Sequence, residues 1–184
     1  MASIVSPKAF WGETAQPIEW RERAQSDTFY AASTLCPVLM GWGVHAAELH
    51  LFLTCPWFPW WLIKLSLCLQ GWLSYQGDVA TFGEASGWIA ADVWLATLHT
   101  SCYILFALFP LVGIAAWPAA VSLTQATAAG SALYCKKMGT RALKDRHEAA
   151  FFWHHSMWHY IALFGAAASL CIIVITSPAS SAFH

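Results

Sequence analysis

The sequence predicts an all-α fold: a polytopic transmembrane helix bundle of about five spans. Three observations carry that prediction. Apolar residues make up 58% of the 184-residue chain and charged residues only 10%, against about 25% charged in ordinary soluble domains. Several apolar windows reach the roughly 20 residues that a helix needs to cross a hydrocarbon layer of ~30 Å. Twelve tryptophans suit the two faces of a bilayer, where an amphipathic ring reaches oil and water at once.

Residues 1–28 read as an N-terminal arm, 29–176 as the bundle and 177–184 as a short polar tail. The arm carries charges of both signs and no apolar core behind a basic tip, unlike a cleaved secretory signal. The first span covers about 30–53 and ends at Thr54-Cys55-Pro56. A second, 57–76, opens on a tryptophan cluster suited to the interface. After a Gly/Asp/Glu/Ser loop the third runs over 88–109, and Pro110 marks its end or a kink. The fourth, 111–134, is rich in Ala, Gly, Ser and Thr, which lets helices approach closely. A basic loop over 135–146 precedes the fifth, 148–175. The six cysteines form no CxxC pair and fall mostly inside apolar runs, where a thiol acts as a small hydrophobe.

Lys136, Lys137, Arg141, Lys144 and Arg146 crowd into that loop. Lying between apolar runs, they indicate a cytosolic membrane face rather than a nucleic-acid surface. The N-terminal arm, with Lys8, Arg21 and Arg23, then also lies in the cytosol, and an odd number of spans puts the C-terminus on the other side. The expected setting is an endomembrane or the plasma membrane, with lipids as the surroundings. Nothing in the sequence speaks for or against a homo-oligomer.

An ionisable group at membrane depth costs several kcal/mol unless it is paired or hydrated. His45, Glu48, Asp92, His99 and the pair His155/His159 are therefore functional candidates. His155 and His159 stand four apart on one helix face, so both rings can converge on one metal ion. Asp92 and His99, seven apart, share a face, and so do His45 and Glu48. Zinc suits imidazole donors and in catalytic sites keeps three protein ligands plus water. A histidine pair at a helix end also serves to cap carbonyls or to stack on Trp153, Trp158 and Tyr160. Ser66, Ser74 and Ser101 read as hydroxyls bonded to carbonyls one turn back. Lys64 reads as a snorkelling side chain, ahead of pairing with Glu48 or Asp92.

The stretch FFWHHSMWHYIALFGAAAS, containing His155-Ser-Met-Trp-His159, resembles the last-helix motif of the CREST superfamily of membrane proteins, nearest its myomaker-like branch. That superfamily includes alkaline ceramidases, adiponectin/progestin receptors and GPI-anchor lipid-remodelling hydrolases. The resemblance implies that His155 and His159 are zinc ligands. Its earlier motif, Ser-x-x-x-His followed by Asp on the next helix, is similar in layout to GWLSYQGD and AADVWLATL, with Asp92 at the family aspartate. Gln76 then stands where the third histidine belongs, and its neutral amide oxygen is a weak donor. His99 or His45 supplies the third imidazole, or a carboxylate such as Asp92 completes the set, or the metal has been lost. The interval from Asp92 to His155 is too short for the two further spans of the seven-span family pattern.

By that resemblance the chain is a zinc-dependent intramembrane hydrolase of lipid amide or ester bonds. Asp92 is its catalytic residue, and His155, His159 and His99 are its metal ligands. The alternatives are a noncatalytic scaffold or receptor-like protein of the same build, and a bis-histidine haem protein using His99 with His45 or His159.

Overall fold

The structure, a computed structural model, describes residues 16–84 and 86–177. Its regular elements are all helices, with no strand among the described residues. A 3-10 turn, Ile18–Trp20, leads into α1 (Arg21–Ala24) and α2 (Asp27–Tyr30). A π-helical stretch, Ala31–Leu35, joins these to α3 (Cys36–Ala46), and the chain breaks at Ala47 before α4 (Glu48–Thr54). Next, α5 (Trp60–Ser74) continues into a second π-helical stretch, Tyr75–Ala80. The remainder is α6 (Gly87–Leu108), α7 (Ala119–Lys144) and α8 (Glu148–Thr176).

Prolines mark several of these boundaries. Pro59 stands just before α5 and Pro118 just before α7, where a missing N–H costs nothing because the first helical amides have no intrahelical partner. Gly83, at φ +79°, turns the chain after the second π stretch, and a Cβ there would lie 2.7 Å from Ile18 Cα, so only glycine fits. Arg146, at φ 55°, reverses the chain between α7 and α8. These two helices form the largest packing interface, and Gly165 of α8 lies directly against Ala128 of α7.

Two expected boundaries move. The basic stretch is not a loop: α7 begins only at Ala119 and continues through Lys136, Lys137 and Arg141 to Lys144. Its Lys, Met, Arg, Ala and Leu residues are good helix formers, there is no proline, and Gly139 is carried inside the helix where it faces His154 and His155. The segment after α6 is instead the irregular one, with Phe109 to Pro118 folded as turns.

Two helices are long and apolar enough to cross a membrane, Gly87–Leu108 and Glu148–Thr176. The first and second expected spans fall short as continuous α-helix, because π stretches and the Ala47 break divide them into α runs of 11 and 15 residues. The N-terminal arm before residue 16 and the tail after residue 177, with Lys8 and His184, lie outside the described residues.

Aromatic clusters close both ends of the bundle. Trp20, Phe29, Phe82, Phe151 and Phe152 pack at the end where α8 begins. Leu51, Cys55, Trp60, Trp117 and Ile173 pack at the end where it finishes. Successive helices alternate in direction, so Ser74, Asp92 and His159 approach the first end, while Trp60, Phe106 and Ile173 approach the second.

Candidate metal centre

On α8, His155 and His159 project from one face, as their spacing requires. Their Nε2 atoms are 3.3 Å apart. The residue that meets them is Asp78, on the π-helical stretch after α5: its Oδ2 lies 3.0 Å from His155 Nε2. The three donor atoms all lie within 4.8 Å of one another, and the group can hold a metal ion. A tetrahedral ion with 2.0–2.1 Å bonds places neighbouring donors about 3.3–3.4 Å apart, and the imidazole pair already stands at that separation.

Burial suits the same purpose. Asp78 is 5% and His159 9% exposed, and a buried carboxylate is tolerable only when paired or ligating. His155 is wedged between Phe29 and Phe151, with ring centroids 5.1 and 5.4 Å away. Those rings restrict its rotation and keep water from that side. Asp78 owes its direction to the π-helical stretch, which widens the helix locally; such widenings recur at functional sites.

A second polar group lies alongside. Ser74, fully buried at the last turn of α5, donates its hydroxyl to Asp92 Oδ1 on α6. Gln70, one turn earlier, donates from Nε2 to the same oxygen at 2.5 Å and to Ser74 Oγ at 3.1 Å. Ser74 and Asp78 are one turn apart on consecutive helical segments, so the Asp92 carboxylate is tied to the chain segment that carries Asp78.

The other candidates go elsewhere. His99 Nε2 is 2.9 Å from Ser66 Oγ, and the convergent group on the described residues contains Asp78 where His99 was expected. The reason is axial: His99 shares a face of α6 with Asp92 but stands seven residues, about 10 Å, farther along the helix, level with Ser66 of α5 rather than with Asp78. His45 Nδ1 is 3.4 Å from Glu48 Oε2. Lys64, expected to snorkel, pairs with Glu48 at 2.6 Å, since the carboxylate is within reach and dispenses with the longer path to water. With His45 and His99 so engaged, the haem arrangement gains no support.

Of the three serines, Ser101 bonds the carbonyl one turn back, as expected. Ser66 bonds Ile63 and His99, and Ser74 turns to Asp92. The motif puts Gln76, a weak donor, at the third ligand's position and leaves that ligand to His99, His45 or Asp92; the carboxylate that meets the two imidazoles is Asp78. The signal was in the sequence, because Asp78 follows Ser74 at the Ser-x-x-x-ligand spacing. A scan against family models and searches of curated proteins and of solved structures return no match.

Proposed function

We propose that the chain is an integral membrane protein and a zinc-dependent hydrolase of lipid amide or ester bonds, built on the CREST pattern. Five helical passes make up the bundle: α3 and α5 with their π-helical stretches, then α6, α7 and α8. The exterior supports a lipid environment, with Leu65, Phe164 and Leu123 being 62%, 69% and 71% exposed. Large apolar patches are rare on soluble monomers.

The single observation that carries the functional reading is the convergence of Asp78, His155 and His159 beside the Ser74–Asp92 pair. Read from Ser74, the motif is Ser-x-x-x-Asp, with a carboxylate in place of the third imidazole of the CREST pattern. Two imidazoles and one carboxylate also form the ligand set of known catalytic zinc sites. Asp78, His155 and His159 would hold the ion, which supplies Lewis acidity and an acidified water. The residues around it manage the proton. Hydrolysis breaks the C–N or C–O bond of the acyl group, adds the oxygen of water to the acyl carbon and delivers a proton to the departing amine or alcohol. Asp92 is the carboxylate placed to take that proton and return it. Ser74 and Gln70 position Asp92 through the oxygen they share.

The test is metal content and turnover together. Protein purified in detergent is expected to carry about one zinc ion per chain and to hydrolyse a long-chain N-acyl amide or ester. His155→Ala and His159→Ala lose both metal and turnover; Asp92→Asn keeps the metal and loses turnover. Folded protein without bound zinc, or turnover that survives His155→Ala, overturns the proposal. Bound iron in place of zinc overturns the assignment of the metal.

A further inference from the structure

A cavity of about 150 Å³ runs inside the bundle from the metal centre toward the opposite end. Both His159 and Ile173 of α8 line it, so it extends along about four helical turns, roughly 20 Å. Alanines 128, 129 and 132 of α7 and 162 and 166 of α8 form its facing walls. Spread over that length, the volume leaves a bore one alkyl chain wide. Two buried amides interrupt the apolar wall, Gln70 near the metal centre and Gln125 farther along, each with its Oε1 lacking a protein partner. A buried acceptor calls for a donor, and Gln70 requires one at the metal end, so the occupant carries a polar head there.

The far end is a wall of aromatic rings. Trp117 belongs to no helix; it stands on the turns between α6 and α7 and is 6% exposed. Its indole Nε1 donates to Thr54 Oγ1 at 2.7 Å. Its ring lies 6.0 Å from Trp60 and is stacked on Phe109 at 6.2 Å. The indole is thus held from three sides across the end of the bore.

We infer that the bore takes one acyl chain of an amphiphilic lipid and that Trp117, as its end wall, sets the longest chain accepted. Trp117 is then a specificity-determining residue about 20 Å from the chemistry. The inference rests on the reading that the metal centre acts on a lipid, although chain binding itself needs neither metal nor turnover.

The experiment uses the full chain, metal-free, in a sterol-based detergent that offers no competing alkyl chain. A homologous series of saturated fatty acids displaces a fluorescent fatty acid. Affinity is expected to rise about fourfold per added methylene, the factor that corresponds to 0.8 kcal/mol, and to stop rising at one chain length. Trp117→Ala moves that break to chains several methylenes longer. Trp117→Phe, which keeps an aromatic wall of smaller reach, moves it by fewer, and Ala129→Leu, which narrows the bore midway, moves it to shorter chains. His155→Ala leaves the break in place, so a failed hydrolase reading does not disturb this measurement. A break that stays put in all three bore variants, or affinity without any break, overturns the inference.

Discussion

Replacing Asp78 by Asn probes the metal centre at the member that sequence reasoning passed over. Asn has nearly the same shape, and its amide still reaches His155 Nε2, which lies 3.0 Å from the native carboxylate. The metal-free fold is therefore expected to lose only about 1 kcal/mol. What disappears is the anionic donor. Removing a group that merely orients a metal ligand lowers affinity roughly 10–100-fold, and losing one of three direct ligands is expected to reach at least the upper figure. Zinc at about a hundred times the wild-type Kd stabilises the wild type by about 2.7 kcal/mol; a variant whose Kd has risen to that concentration gains only about 0.4 kcal/mol. The difference corresponds to about 5–9 °C in Tm for a chain of this length. Twelve tryptophans make intrinsic fluorescence the readout for thermal unfolding with and without zinc. An Asp78→Asn protein that gains as many degrees from zinc as the wild type would refute the placement of Asp78 in the centre.

Acidification is expected to weaken zinc binding, because an imidazole must be neutral to coordinate. With their Nε2 atoms 3.3 Å apart the two rings do not both carry a charge in mild acid, so the Kd should rise by up to about tenfold per pH unit, and a flat titration series in acid contradicts a histidine site. Gly165→Ala places a Cβ 2.3 Å from Ala128 Cβ and 2.7 Å from Tyr103 Oη, so α7 and α8 must part at a cost of about 1–3 kcal/mol. The same change at Gly130, where nothing lies within 4 Å, is expected to stabilise by up to about 1 kcal/mol through helix propensity; equal melting shifts for the two contradict the packing described. Thr54→Val leaves the buried Trp117 Nε1 without an acceptor and should cost about 1–3 kcal/mol, measured as a lower unfolding midpoint. No change on substitution means that the indole is not held as described.

The helical class was legible because it follows from composition and from the length of apolar windows, both local properties. The pairing of His155 with His159 was legible for the same kind of reason, since residues four apart on a helix share a face whatever surrounds it. Asp92 drew notice as a carboxylate inside an apolar run, and it does meet buried polar partners. The basic segment misled because charge density was read as a loop signal, whereas Lys and Arg are good helix formers. Asp78 was missed because alignment by motif placed Gln76 at the ligand position, two residues too early.

By itself, then, the sequence determined an apolar helical chain with two imidazoles presented together at the start of the last helix. The tertiary structure alone decided which carboxylate meets them, that His99 turns to Ser66, and that Trp117 closes a bore reaching back to His159. The physical reason is rotation and axial level. Periodicity states which side chains share a face of one helix, but the face each helix presents to its neighbours, and at what level, is set only when buried polar pairs such as Ser74–Asp92 and close seams such as Gly165–Ala128 are satisfied together.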